Sequence, residues 1–308
     1  MNAGIIGCGN MGCLYGFDKG RDYIFSYADL FSKTKGYRLK IIFDIDKRKK
    51  KFAKLFNADF STDVADINRI DYPLDVVAIA TPAESHIRLL EFLITKTNIK
   101  SIIVEKPTCL SDIETNYIDG LARRHNVKIV VNLFRRFDNL HNDLYQDYFE
   151  KLSLGTPLTG SFFYSKEFKN SGFHLIDLLL WWFKDIKIVF SSGGKYPHVV
   201  AITKKFQTPI YISSVKTDQF FTFDFNLFFE KGRIDLKEVG FEALVYRTAK
   251  FKYASDYTTL KLERNLKSDM KFMRNMLHFL ANHQYSGFFP CPTKIHKLIK
   301  KIERGGSY

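Results

Sequence analysis

The chain opens Met1-Asn2-Ala3-Gly4-Ile5-Ile6-Gly7-Cys8-Gly9-Asn10-Met11-Gly12. Ala3 to Ile6 is a short apolar run bounded by glycine and reads as a buried strand. The next six residues fit Gly-x-Gly-x-x-Gly at a strand-to-helix turn. There the first glycine makes the tight turn, the second lets a pyrophosphate approach backbone amides, and the third lets helix pack on strand. The helix N-terminus then attracts the anion. Gly7, Cys8, Gly9, Asn10, Met11 and Gly12 are therefore the expected dinucleotide-binding loop.

Working outward, Leu39–Phe43, Val76–Ala80, Ile102–Val104 and Lys128–Leu133 are further short runs rich in Ile and Val. Helices are expected between them. Thr81-Pro82-Ala83-Glu84 and Ser111-Asp112-Ile113-Glu114 each read as a capping box at a helix start. Strands alternating with helices predict a doubly wound parallel sheet, an α/β Rossmann domain over residues 1–134. Past Arg135 the pattern changes. Helices are expected at Asn139–Leu152, Phe173–Phe183, Met270–Asn282 and Thr293–Glu303, with strands at Leu158–Tyr164 and, by strict alternation, Thr222–Glu230. This half, residues 135–308, is expected to be an α+β domain with a mostly antiparallel open sheet that binds substrate and builds oligomers.

At 308 residues, with 45% hydrophobic and 16% aromatic composition, the chain is long and apolar enough for two cored domains. Forty-seven Lys and Arg against 33 Asp and Glu leave a net charge of +14, which raises anionic partners. No helix-turn-helix, zinc-finger or RNP pattern accompanies the charge, so no specific nucleic acid is expected. The most apolar later run, Leu178–Phe183, is far short of the roughly 20 residues needed to cross a bilayer, so no membrane partner is expected. Cys8, Cys13, Cys109 and Cys291 have neither ligand spacing nor a disulfide framework. No metal is expected, and a reducing cytoplasm is the expected compartment.

Strand two ends at Asp44. A carboxylate there accepts hydrogen bonds from the adenosine ribose and repels a 2′-phosphate, so NAD is the expected cofactor and NADP the lesser alternative. The basic run Lys47 to Lys51 has the charge to hold a 2′-phosphate, against the alternative that it is a solvated helix face. Asp44 also stands 32 positions after Gly12, against a usual gap of about 20, which places an insertion around Phe17 to Phe31. Glu105-Lys106-Pro107 follows a strand at the C-terminal edge of the sheet, where a lysine is placed to act as proton donor or orienting cation. Arg135 and Arg136, beyond the last Rossmann strand, are candidates for an anionic substrate group, with a structural ion pair as the alternative.

These features resemble the Gfo/Idh/MocA oxidoreductase family. The resemblance rests on their order: GCGNMG, Asp44, ATPAESH (Ala80–His86), VEKP (Val104–Pro107), NLFRRF (Asn132–Phe137), GFHLID (Gly172–Asp177) and FEKGRIDL (Phe229–Leu236). It implies NAD(P)-dependent redox chemistry at sugar or cyclitol hydroxyls and a homodimer or homotetramer built through the C-terminal sheet. It places Thr81, Pro82, His86, Glu105 and Lys106 at the cofactor, makes Lys106 the lysine that contacts the substrate hydroxyl, and makes His174 the catalytic histidine. Asp177, three residues on along the same helix face, is expected to orient or charge-stabilise His174, with a helix-surface carboxylate as the alternative. Where the family commonly has aspartate, four residues before the histidine, this chain has Asn170, which holds a hydroxyl but takes no proton. The expected function is hydride transfer to or from a hydroxyl-bearing carbon of a sugar, cyclitol or nucleotide-linked sugar. A non-catalytic NAD-binding sensor of the same fold is the alternative that Asn170 raises.

Overall fold

The structure is a computed structural model that describes residues 1–253 and 258–308. The chain divides into two compact units, residues 1–134 with 270–296, and residues 135–269 with 297–308.

The first unit begins with β1 (Asn2–Ile6), α1 (Tyr27–Lys33), β2 (Arg38–Phe43), α2 (Lys50–Leu55) and β3 (Asp59–Ser61). It continues with β4 (Val76–Ile79), α3 (His86–Lys96), β5 (Ser101–Val104), α4 (Asp112–Arg124) and β6 (Lys128–Val131). β1, β4 and β5 are buried almost throughout, as near-continuous apolar strands covered on both faces must be. Ser111 caps α4, its Oγ accepting from the Glu114 amide at 3.1 Å, while Glu114 takes the Leu110 amide. The other expected cap is corrected. Thr81 Oγ1 lies 2.7 Å from Ser85 Oγ, and a 3-10 turn at Ala83–Ser85 precedes α3.

The second unit holds α5 (Asn139–Leu144), which runs on into a π-helical turn at Tyr145–Glu150, then β7 (Pro157–Ser165) and α6 (Phe168–Phe183). Seven strands follow: β8 (Ile186–Ser191), β9 (Val199–Thr203), β10 (Pro209–Val215), β11 (Phe223–Phe229), β12 (Gly232–Lys237), β13 (Glu242–Lys250) and β14 (Thr258–Lys267). After these come α7 (Phe272–Asn282), β15 (Gly287–Phe289), α8 (Thr293–Arg304) and β16 (Gly306–Ser307). The nine-stranded sheet has the order β14-β13-β12-β11-β7-β10-β9-β8-β16 and is antiparallel except where β10 runs parallel to β7. Its inner face carries Phe162 edge-on to Phe223 at 4.7 Å, and Trp182 of α6 packs on Phe225 of β11 at 5.8 Å.

The parallel sheet has the order β15-β6-β5-β4-β1-β2-β3. Its sequence-local strands give 6-5-4-1-2-3, the doubly wound pattern, with the reversal of winding direction between β1 and β4. Assigning all of 135–308 to the second unit is corrected for 270–296. β15 pairs parallel to β6, Gly287 opposite Lys128, and Lys128 Nζ donates to the Leu280 carbonyl of α7 at 2.8 Å. An edge strand with unpaired amides is thereby extended and covered by chain drawn from far along the sequence.

Candidate functional site

The glycine loop leaves β1 where the sheet reverses. Gly7 holds φ at +97°, and a Cβ there would meet the Ala80 carbonyl oxygen at 2.7 Å. A Cβ on Gly12 would stand 2.0 Å from the Gly7 carbonyl oxygen, so the turn closes only on a bare backbone. Gly9 is different, because a Cβ on it would find nothing within 4 Å. Gly9 faces a cavity of about 530 Å³ whose lining includes Gly7, Asp44, Thr81, Pro82, Lys49 and Arg88. This volume lies within the usual range for ligand sites, and the position is the C-terminal edge of a doubly wound sheet at its switch point.

Asp44 organises the loop from the β2 side. Its Oδ2 accepts the Cys8 amide at 2.7 Å and its Oδ1 the Asp46 amide at 2.9 Å, so one carboxylate ties the glycine turn to the end of β2. Lys49 and Arg88 bring positive charge to the same cavity. In the sequence Lys49 stands out only as part of the basic run Lys47 to Lys51, and the one signal for Arg88 is its place one helical turn after Glu84 and Ser85.

The expected helix after the motif lasts a single turn, in which the Cys13 and Leu14 amides both donate to the Gly9 carbonyl. The chain then departs through a 3-10 turn at Leu14–Phe17 and returns at α1, which Ser26 caps. On return, the Tyr27 amide donates to the Met11 carbonyl and the Ala28 amide to the Gly12 carbonyl, each at 2.9 Å. In an unbroken helix Met11 would serve residue 15, so the excursion is twelve residues, Tyr15 to Ser26. Subtracting twelve from the 32 positions between Gly12 and Asp44 leaves 20, the ordinary spacing. The insertion expected around Phe17 to Phe31 is thus a loop spliced into one helix.

Other expected site residues serve as struts. His86 is buried, with Nδ1 3.0 Å from the Pro107 carbonyl and Nε2 2.8 Å from the Thr81 carbonyl, joining the loops after β4 and β5. Glu105 Oε1 accepts from both Tyr27 Oη and Asn132 Nδ2 at 2.7 Å, fastening α1 and the end of β6 to the end of β5. Burial raises the Glu105 carboxyl above its ordinary range, against those two hydrogen bonds and the charge of Lys106. Tyr27 and Asn132 carry no local sequence signal for this role, since Tyr27 stands 78 positions from its partner. Neither His86 nor Glu105 lines the cavity. Asn10 and Met11 take part through their carbonyls, as acceptors for Tyr15 and Tyr27.

In the second unit, α6 carries Asn170, exposed, and His174, 9% exposed, one turn apart on one face. The expectation that Asp177 orients His174 is corrected. Both Asp177 oxygens accept from Arg136, at 2.8 to 2.9 Å, with Asp177 buried and Arg136 half-buried. Burial raises the Asp177 carboxyl while the Arg136 charge opposes it. Arg136, expected at a substrate anion, is therefore in the alternative role of structural ion pair. Arg135 is also corrected: it is 3% exposed, donates from Nη2 to the Val239 carbonyl at 2.8 Å and lies 3.8 Å from the Phe223 ring centre. Burial lowers its guanidinium to about 9. Among the described residues no helix is long and apolar enough to cross a membrane.

Residues 1–133 match the family model GFO_IDH_MocA, described as an oxidoreductase family with an NAD-binding Rossmann fold. No curated protein matches the sequence significantly. Among solved structures, an NAD-binding oxidoreductase from Klebsiella pneumoniae is similar with TM-score 0.75 at 16% identity, over 99% of this chain and 96% of that one. KijD10, a 3-ketoreductase from Actinomadura kijaniata in complex with NADP and TDP-benzene, gives TM-score 0.74 at 12% identity, over 99% and 97%. GnnA, a UDP-N-acetylglucosamine 3-dehydrogenase from Acidithiobacillus ferrooxidans, gives 0.73 at 15%, over 99% and 97%. At such identities these three speak for the fold.

Proposed function

We propose that the chain, whose residues 1–133 match the Gfo/Idh/MocA oxidoreductase family model with its NAD-binding Rossmann fold, is an NAD-dependent oxidoreductase acting on a nucleotide-linked sugar, sugar or cyclitol. The observation that carries the cofactor half is the open space at Gly9 beside a cavity edged by Asp44. The glycine-loop amides and the first helical turn would hold the pyrophosphate. Asp44, already an acceptor of two amides, would meet the ribose hydroxyls and favour NAD, with Lys49 and Arg88 the residues that would favour NADP. When bound, the cofactor supplies or accepts the hydride.

The substrate half rests on resemblance. Lys106 would polarise the substrate oxygen, His174 would take or return the hydroxyl proton, and Asn170 would orient the hydroxyl. The nucleotide-linked substrate class is supported by what KijD10 and GnnA bind or act on. A second copy of the chain is the proposed partner, through the outer face of the nine-stranded sheet. Phe163, Tyr211 and Phe228 are each 40 to 47% exposed there, in a patch around Asp235, which is 3% exposed.

The test is calorimetric titration with NAD(H) and NADP(H), followed by turnover assays over a panel of nucleotide sugars, free sugars and cyclitols. NAD(H) is expected to bind more tightly. Lys106→Met and His174→Ala are each expected to keep that affinity and lower kcat by about 100-fold. Tighter NADP(H) binding would transfer control to Lys49 and Arg88. NAD binding without turnover of any panel member would replace the enzyme by the non-catalytic sensor.

A further inference from the structure

Two thiols meet inside the glycine loop. Cys8 follows the tight turn at Gly7, and Cys13 closes the single helical turn that begins at Gly9, its amide donating to the Gly9 carbonyl at 2.9 Å. That turn folds Cys13 back so that the two Sγ atoms lie 2.8 Å apart, a buried thiol hydrogen bond. A disulfide needs about 2.05 Å, so less than 1 Å of approach separates the dithiol from its oxidised form. The backbone around it is already clamped, by the Asp44 carboxylate on the Cys8 amide and by the bare contact of Gly12 on the Gly7 carbonyl.

We propose that Cys8 and Cys13 are a modification site, an oxidisable dithiol that a small hydroperoxide, entering through the neighbouring cavity, converts to a disulfide within the glycine loop.

Both cysteines are fully buried, so a bulky oxidant has no direct approach. Gly7 and Gly9, the residues either side of Cys8, line the 530 Å³ cavity, and that is the route for a molecule the size of hydrogen peroxide. The two thiols also differ. The hydrogen bond between the two thiols holds Cys8 below its usual range, helped by Lys49 and opposed by burial and Asp44, whereas the same bond and burial push Cys13 up. Cys8 is therefore the attacking thiolate and Cys13 the resolving thiol.

In the first step Cys8 Sγ, as thiolate, attacks one peroxide oxygen, the O–O bond breaks, and Cys8 becomes a sulfenic acid, oxidised by two electrons, while the other oxygen leaves as hydroxide and takes up the proton released from the Cys8 thiol to give the first water. In the second, Cys13 Sγ attacks Cys8 Sγ, the S–O bond breaks, and water leaves with the thiol proton of Cys13. Two thiols and one hydrogen peroxide give one disulfide and two waters. The bond would tie the first helical turn and the root of the Tyr15–Ser26 excursion to the end of β1.

The experiment treats the full-length reduced protein with hydrogen peroxide and maps tryptic digests by mass. The peptide Met1–Lys19 is expected to lose two hydrogens, to regain them with dithiothreitol, and to show no such loss in Cys13→Ser, where a dimedone adduct marks the sulfenic acid left on Cys8. Saturating NAD(H) is expected to slow the loss by at least about tenfold, because it fills the entry cavity; this arm rests on the proposed cofactor. Sulfinic or sulfonic acid at either cysteine with no disulfide would overturn the proposal, as would a link from either to Cys109 or Cys291. An unchanged rate while calorimetry reports bound NAD(H) would overturn the cavity route. If calorimetry finds no NAD(H) binding, the cofactor reading falls by itself and the two-hydrogen loss in the free protein decides the dithiol.

Discussion

Gly9 and Gly12 occupy neighbouring positions in one motif and are glycine for opposite reasons. Gly12 is required by the protein, since any Cβ would collide with the Gly7 carbonyl at 2.0 Å, backbone against backbone with no side chain free to yield. Gly9 meets nothing of the protein, so it is the proposed pyrophosphate, and not the fold, that would require a glycine there. Gly12→Ala is expected to lower stability by at least about 1–3 kcal/mol, the scale of core overpacking. Gly9→Ala should leave stability within about 0.5 kcal/mol and weaken NAD(H) binding by more than about tenfold. Thermal unfolding and calorimetry on the two variants separate these effects, and a Gly9→Ala protein that binds NAD(H) like wild type would remove the pyrophosphate from this loop. Motif spacing alone assigned both glycines; only the packing around each reveals which one answers to the fold.

At the scale of elements, the first helix is one helix interrupted. The Tyr15–Ser26 excursion is held by its aromatic residues, with Phe17 on Phe52 and Phe56 at 5.5 and 5.8 Å, and Phe25 on Phe134 and Phe272 at 5.9 and 5.8 Å. Arg21 sits 4.8 Å from the ring centres of both Tyr15 and Phe25 and pairs with Asp18. None of these residues lines the cavity. Deleting Tyr15 to Ser26 returns Tyr27 to the fourth position after Met11, so NAD(H) affinity is expected to stay within about tenfold while the melting temperature falls as Phe52, Phe56, Phe134 and Phe272 lose their cover. Loss of all dinucleotide binding in a variant that still melts cooperatively would mean that the excursion itself forms part of the site. The excess length between Gly12 and Asp44 was legible in the sequence. The splice points were not, because they are defined by two backbone hydrogen bonds between residues 16 positions apart.

For the whole molecule, the outer face of the nine-stranded sheet holds the clearest unmet burial. Phe163 on β7, Tyr211 on β10 and Phe228 on β11 share this face with Asp235, which accepts from Asn226 and Arg233, each at 2.7 Å. Arg233 also lies 4.5 Å from the Tyr246 ring centre. An apolar centre with satisfied polar groups beside it is how a subunit interface is built. Wild-type protein is expected to sediment as a dimer or tetramer, and Phe163→Glu with Tyr211→Glu as a monomer of unchanged secondary structure, because each buried carboxylate would lack a partner across a twofold contact. A monomeric wild type at micromolar concentration would dismiss this face as an interface.

What the sequence by itself determined is whatever is written in local pattern. The glycine loop, the short apolar strands with their doubly wound alternation, the Ser111 cap and the alternating β11 are each specified within a dozen residues by backbone sterics and hydrophobic period. Tertiary structure decided whatever depends on a partner far along the chain. It placed β15 beside β6, set Glu105 between Tyr27 and Asn132, and gave Arg136 to Asp177 in place of a substrate or His174. A buried charge or an unpaired strand edge must find its complement somewhere, and sequence spacing carries no term for a residue tens of positions away.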